Sequence, residues 1–143
     1  MANVLKVSEA ASLALHTMVL LAASSDRLWS THDIADTLDA SEAHLSKVLQ
    51  RLARMDLVRS VRGPKGGFSL MRSPESISLL DVYESIEGPL AKTDCLLGRR
   101  LCDGTNCILG TLLKNTNREV KKYLSKTKLS GVTDVYRGVV END

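Results

Sequence analysis

Three cysteines are the residues of this sequence with the clearest chemical potential. Cys95, Cys102 and Cys107 fall within thirteen residues, and the chain has no other cysteine. Thiolates ligate zinc and iron–sulfur clusters, and they also form disulfides or redox switches. We expect a cytoplasmic location, since no signal peptide is recognisable. In that compartment an odd cluster of cysteines favours metal ligation over structural disulfides.

A metal bound by these cysteines needs more than three thiolates. Structural zinc sites are tetrahedral, and iron–sulfur clusters are commonly held by four protein ligands. A further ligand or an open coordination position must therefore complete the site. A thiol switch between Cys102 and Cys107 is the alternative that needs no metal. The residues alone leave cluster, zinc and thiol switch open.

Positive charge is concentrated in one part of the chain. The formal net charge of the whole sequence is +2, but residues 44–72 hold seven basic residues and one acid, a net charge of +6. Residues 73–98 are acidic, with five acids and one base. A basic block of this kind indicates a surface for a polyanion such as DNA. A solvated basic surface is the plainer interpretation.

The elements around the basic block follow the order of a winged helix-turn-helix. A tight turn at Asp39 and Ala40 separates a short helix from a second helix with apolar residues at spacings of three and four. The glycine-rich residues 63–67 then join two strand-like segments. The predicted elements are helices 5–23, 33–38 and 41–55, strands 57–62 and 68–71, and helix 79–87. The predicted fold class is therefore mainly α with a small β-hairpin wing.

The residues predicted to contact DNA lie on the second helix of this unit and on the wing. A recognition helix offers side chains near its N-terminal end to base edges, and a basic wing tip enters the minor groove or contacts phosphate. Glu42 stands at the same helix start, where an acid also stabilises the helix. The predicted DNA-binding residues are Ser41, His44, Ser46, Lys47, Arg51, Arg59, Arg62 and Lys65.

The C-terminal part predicts a long helix for dimerisation. Residues 108–124 carry an apolar stripe that needs a partner, and a symmetry mate is the simplest one. Packing of the stripe against its own domain is the alternative. The predicted organisation is a DNA-binding domain (1–87), a cysteine loop (88–107), a dimerisation helix (108–128) and a weakly patterned tail (129–143) that we expect to be partly disordered.

Other classes of function find little support in the residues. No run of apolar residues reaches the roughly eighteen needed for a membrane span. We find no paired carboxylates, no nucleophile with a base and no phosphate-binding loop, so an enzyme is not expected.

The wing carries a resemblance to a known family. Residues 57–68, with the sequence LVRSVRGPKGGF, closely resemble the wing of the winged-helix regulators typified by IscR and NsrR. Residues 34–57 resemble the helix-turn-helix of that family, and the resemblance extends over residues 5–124. It implies a homodimer that binds short near-palindromic operators in double-stranded DNA and, in many members, an iron–sulfur cluster (2Fe–2S or 4Fe–4S). We expect such a protein to be a repressor that senses redox state, nitric oxide or iron–sulfur status.

The resemblance also implies a set of cluster ligands. The three cysteines match the family loop in total span, although the middle one is shifted by one position. The histidine of the IscR-like pattern is replaced by Gly110. The NsrR-like pattern places a carboxylate of the other subunit at Glu9, our candidate for the fourth ligand, although an exposed helix acid has the same appearance. Weaker rivals are His16, Asp94 and Asp103, while His32 has no evident metal context.

Overall fold

The protein forms a helical domain with one β-hairpin, as the sequence predicts. The computed structural model describes residues 7–90, 95–97, 101–103 and 105–141. In these ranges no helix is both long and apolar enough to cross a bilayer. The elements are α1 (Glu9–Ala23), α2 (Thr31–Leu38), α3 (Glu42–Arg54), β1 (Val58–Val61), β2 (Gly67–Leu70), α4 (Leu79–Glu87), α5 (Leu112–Lys126) and α6 (Arg137–Val140), with single 3-10 turns at Pro74–Ser76, Leu129–Gly131 and Thr133–Tyr136.

Serine caps fix the starts of the first four helices. The hydroxyl oxygens of Ser8, Ser30, Ser41 and Ser78 each accept a hydrogen bond from the backbone N–H three residues later. These bonds satisfy amide groups that have no partner inside the helix. The predicted starts of α3 and α4 are confirmed. Helix α1 begins at Glu9, later than predicted, while residues 5 and 6 lie outside the described residues.

Helices α1 and α3 supply most of the core. Along α3, Leu45, Val48, Leu49 and Leu52 are all buried, which confirms the predicted stripe. They pack in one cluster with Met18, Leu20 and Leu21 of α1. The cluster contains few aromatic side chains, so close packing of aliphatic side chains holds the helices in position.

The hairpin is attached to the helical core through Trp29. Strands β1 and β2 are antiparallel, with Val58 opposite Leu70 and Val61 opposite Gly67. The backbone of Trp29 exchanges hydrogen bonds of 3.0 Å and 2.7 Å with Phe68 of β2. Because the Trp29 side chain is only 1% exposed, the same residue belongs to the core and to the edge of the hairpin.

The C-terminal part differs from the prediction in two ways. Helix α5 begins at Leu112 rather than at residue 108, because Gly110 adopts a φ of +59° and residues 108–110 form a turn. The segment after α5 then returns to the core instead of forming a disordered tail. Leu129 is fully buried in the core cluster, and Val132, Tyr136 and Val140 pack against it at helical spacings.

The return of this segment predicts a loss of stability on truncation of Leu129. Leu129→Ala should lower the free energy of unfolding by about 2–5 kcal/mol, since a buried leucine leaves a cavity. The control Val139→Ala, at a residue that is 41% exposed, should cost less than about 1 kcal/mol. Urea unfolding followed by circular dichroism measures both. Equal effects of the two variants would show that Leu129 does not belong to the core.

Candidate DNA-reading surface and cysteine loop

The turn between α2 and α3 sets the angle of the recognition helix. Asp39 adopts a left-handed conformation with a φ of +50°, and its N–H caps the end of α2. The N–H of Ala40 then bonds the carbonyl of Ala35 at 2.8 Å. Ile34 and Ala35 are buried against the core, so α2 supports α3 from behind. This is the arrangement in which a helix-turn-helix presents its second helix to the major groove.

The polar face of α3 is open to solvent along its length. Ser41, Lys47 and Arg51 are exposed, while Ser46 and His44 are half-buried. Gln50 and Arg54 are also exposed, three and seven positions after Lys47, and belong to the same face. The helical periodicity of the sequence places both residues on the DNA-facing side, although they are not among the predicted DNA-binding residues.

The wing places three cations on a narrow hairpin. Arg59, Arg62 and Lys65 are all exposed, the last two at the turn. The turn is closed by a 3.0 Å hydrogen bond from the N–H of Gly66 to the carbonyl of Gly63. A Cβ at Gly66 would lie 2.0 Å from the Val61 carbonyl oxygen, so no larger residue fits this turn.

Arg51 has a partner that the sequence did not predict. Its Nη1 donates a hydrogen bond of 3.2 Å to the carbonyl oxygen of Ile86 in the last turn of α4. The last carbonyls of a helix lack partners within the helix and attract a cation. Arg51 therefore joins the recognition helix to the end of α4, where the cysteine loop starts.

His32 and Glu42 form a second link, between α2 and α3. His32 Nδ1 lies 2.7 Å from Glu42 Oε1, with both side chains exposed. The hydrogen bond to Glu42, the charge of Glu42 and the charges of Asp33 and Asp36 raise the pKa of His32 above its usual 6.5, while partial desolvation lowers it. The pair fixes a carboxylate at the first residue of the recognition helix.

The three cysteines of the loop form no disulfide. Cys95 is half-buried, and Cys102 and Cys107 are exposed. Among the described residues, no three His, Cys, Asp or Glu side chains are grouped so that they could hold a metal ion. Asp94 lies outside these residues. Asp103 accepts a hydrogen bond of 2.8 Å from the Thr105 N–H, and this bond lowers the pKa of its carboxyl group.

Glu9 stands close to the origin of the cysteine loop. The hydroxyl of its neighbour Ser8 donates to the carboxylate of Glu87, the last residue of α4. Glu9 itself is exposed and lines an open cleft of about 790 Å³ with His16, His44 and Tyr136. His16 Nδ1 lies 2.7 Å from the carbonyl oxygen of Ser12, so an Nδ1–H can donate to it and leave Nε2 free. The structure thus brings Glu9 and His16 to one cleft, but does not group them with the three thiols.

Comparison with known proteins identifies the fold and the class of regulator. The family model Rrf2, described as an iron-dependent transcriptional regulator, matches residues 7–135. The chain is 30% identical over 124 residues to the HTH-type transcriptional regulator NsrR of Bacillus licheniformis, covering 84% of each protein. It is 40% identical over 83 residues to the HTH-type regulator BadM of Rhodopseudomonas palustris. That match covers 58% of this chain and spans only 53% of BadM.

A solved structure extends the similarity to the whole architecture. The structure of CymR, named as the global cysteine regulator of B. subtilis, superposes with a TM-score of 0.79 at 26% identity. The superposition covers 92% of this chain and 98% of CymR. The predicted winged-helix fold and the expectation of a regulator rather than an enzyme are therefore confirmed. The resemblance of the wing sequence to the regulators typified by IscR and NsrR is confirmed as well.

Proposed function

Because the chain belongs to the Rrf2 family of DNA-binding transcription regulators, we propose that it is a homodimeric repressor whose DNA affinity is controlled by an iron–sulfur cluster. The cluster would be held by Cys95, Cys102 and Cys107, with Glu9 of the second protomer as the fourth ligand. The operator would be near-palindromic, with one α3 in each half-site. The observation that carries this proposal is that the thiol loop begins at the helix end to which Arg51 of α3 is bonded.

The distribution of exposed apolar side chains supports a dimer. Among the described residues, seven large apolar side chains are more than 60% exposed, and all of them except Val135 lie between residues 96 and 123, on the loop and on α5. These six are Leu96, Leu97, Leu101, Ile108, Leu112 and Tyr123. Leu113, Val120 and Leu124, about 100° around α5 from Leu112 and Tyr123, are half-buried. A second copy of this helix would cover the exposed side, as contiguous apolar surface on a regulator commonly requires.

The donor set fits the proposed cofactor in its chemistry. Three reduced thiols on one loop are the soft donors that clusters require, and none is used in a disulfide. One carboxylate on the partner protomer would raise the number of protein ligands to four. The cluster would supply a redox-active centre with one weak ligand. Closure of the site requires the second protomer and a rearranged loop, because the described residues of one chain do not gather three donors.

The contacts of α4 give a route from the loop to the DNA-reading surface. The Leu90 N–H at the start of the loop donates to Glu84 Oε1 at 3.2 Å, and the carbonyl of Ile86 accepts from Arg51. A shift of the loop would therefore move the end of α4 and, through Arg51, the recognition helix. Two recognition helices must be about 34 Å apart to occupy successive major grooves, so a small shift in each protomer lowers the affinity for the operator.

The experiment is a combined cofactor and DNA-binding measurement on protein purified without oxygen. We expect a coloured protein with iron and sulfide, and a different affinity after removal of the cluster for duplexes enriched from a random library. Cys107→Ser should lose iron and the colour but keep its helical circular dichroism. Glu9→Gln should weaken cluster retention, whereas Glu75→Gln, at an exposed carboxylate in the 3-10 turn Pro74–Ser76, serves as the matched control.

A metal-free thiol switch is the second candidate, because Cys102 and Cys107 are exposed and free. Colourless protein whose DNA affinity falls with peroxide would favour it and contradict the cluster. Stoichiometric zinc without iron would instead indicate a zinc-stabilised regulator. Identical DNA affinities with and without the metal would remove the sensing role altogether.

A further inference from the structure

The carboxylate of Glu42 is held in place by a residue outside the recognition helix. His32 Nδ1 of α2 lies 2.7 Å from Glu42 Oε1, and the two residues are ten positions apart in sequence. A glutamate at the first position of an exposed helix is otherwise free to adopt several rotamers. Ordering a side chain before binding removes an entropic cost from the complex. The link is thus of a kind that prepares a side chain for contact.

The pair leaves most of the carboxylate available. An ionised carboxylate offers about four lone-pair positions, and His32 uses one of them on Oε1. Glu42 is the residue after the N-cap Ser41, at the end of α3 that a helix-turn-helix directs to base edges. There a carboxylate accepts from the amino group of cytosine and repels the acceptor atoms of guanine. Its orientation therefore affects which base is tolerated.

We propose that His32 is a positioning residue for base selection, which orients Glu42 so that α3 discriminates one base pair in each half-site. This inference rests on DNA binding by α3. It requires neither the cluster nor any particular fourth ligand.

The charge of the pair adds a second consequence. Glu42 of α3, which contacts the imidazole, and the charges of Asp33 and Asp36 of α2 all raise the pKa of His32 and so favour its protonated form. Arg27 lies 3.9 Å from Asp33 and reduces the influence of that carboxylate. When His32 is protonated the pair is neutral, and when it is neutral the pair carries one negative charge next to the DNA. Operator affinity should therefore fall as the pH rises through the pKa of His32.

The experiment measures base preference and pH dependence together. Wild type first selects duplexes from a random library at pH 6, and one selected duplex is then substituted at every position. Affinities of wild type, Glu42→Gln, His32→Ala and His32→Asn are measured on this set between pH 5.5 and 8.5. Asparagine retains a donor near the position of Nδ1 but does not titrate. Asp36→Asn serves as a control for base preference only, because the charge of Asp36 contributes to the raised pKa of His32.

We expect Glu42→Gln to lose discrimination at one position per half-site by at least about fivefold, the lower limit for a base contact. His32→Ala should lose most of that discrimination, and His32→Asn should retain it but show a flat pH profile. In the Glu42→Gln background, His32→Ala should have no further effect on base preference. A purely structural role of His32 would lower the melting temperature without changing base preference.

Unchanged base preference in His32→Ala, with discrimination lost only in Glu42→Gln, would overturn the positioning role. Unchanged preference in Glu42→Gln would overturn it as well. If wild type selects no duplex at all, DNA reading by α3 fails first, and this inference fails with it. If protein without a cluster shows the expected base preferences of wild type and variants, the inference is supported even though the proposed cofactor is absent.

Discussion

Loss of the three wing cations should reduce DNA affinity on the order of 100-fold at 150 mM salt. Each phosphate contact contributes about 0.9 to the slope of log affinity against log salt, so three contacts account for a slope change of nearly 3. The change is Arg59→Ala, Arg62→Ala and Lys65→Ala in one variant. All three side chains are exposed on the hairpin, so the fold should be preserved. Fluorescence anisotropy with a labelled duplex at several salt concentrations measures both quantities.

The matched control removes three exposed lysines: Lys114 and Lys121, on the side of α5 away from Leu112 and Tyr123, and Lys128, which follows the helix. It changes the net charge by the same amount, so it reports the long-range effect of charge alone. We expect it to lose only a few-fold in affinity and to keep the salt slope. Equal losses in the two variants would mean that the wing makes no direct contact with phosphate.

Replacement of Trp29 by alanine should lower the free energy of unfolding by about 3–5 kcal/mol, a range typical of truncating a large buried aromatic residue. Trp29 is the largest fully buried side chain of the domain and is 1% exposed. Its backbone also holds Phe68 at the edge of the wing, so the cavity would weaken the support of the hairpin as well as the core. The total free energy of unfolding of a domain is only about 5–15 kcal/mol, so this loss is a large part of it.

Trp29→Phe is the control for this prediction. It retains most of the apolar volume, and it removes an indole Nε1 that has no hydrogen-bond partner within the described part of the chain. We expect a cost below about 2 kcal/mol. Circular dichroism is the suitable probe, since Trp29 is the only tryptophan. A cost below 1 kcal/mol for Trp29→Ala would contradict the assigned position in the core.

Local signals account for the parts of the fold that the sequence predicted well. Serine caps and the stripe of Leu45, Val48, Leu49 and Leu52 depend on neighbours within one helix. The bounds of α4 were predicted for the same reason, since Ser78 begins the helix and Gly88 ends it. These interactions are complete within a few residues of chain and hence visible in sequence.

The features that the sequence did not predict have both local and tertiary causes. The predicted start of α5 at residue 108 is wrong, because the positive φ of Gly110 prevents the helix from starting there. The presence of a glycine does not by itself indicate that conformation. The packing of the C-terminal segment against the core was not predicted, although a sequence signal exists. Its apolar residues recur at spacings of three and four: Leu129, Val132, Tyr136 and Val140. The partners of Arg51 and His32 lie on other helices, so no local pattern indicates them.

The assignment of cluster ligands could be made only in part. Three neighbouring thiols suggest the donor chemistry directly, whereas the completing ligand depends on how two protomers and a long loop meet. In the proposed dimer, contacts of Leu96, Leu97 and Leu101, which are exposed in a single protomer, would contribute to that geometry.

The way in which α5 ends limits how this protein can change shape. The N–H of Leu79 bonds the carbonyl of Thr127 at 2.9 Å, and the N–H of Leu129 bonds the carbonyl of Ile77 at 3.0 Å. These two bonds, together with the burial of Leu129, make the C-terminal end of α5 a fixed pivot. A movement of the cysteine loop at the N-terminal end of α5 would therefore tilt or rotate the helix by a small angle, without detaching its C-terminal end from the core. In the proposed dimer the two small rotations would add. The distance between the two recognition helices would then change while each DNA-binding domain keeps its fold.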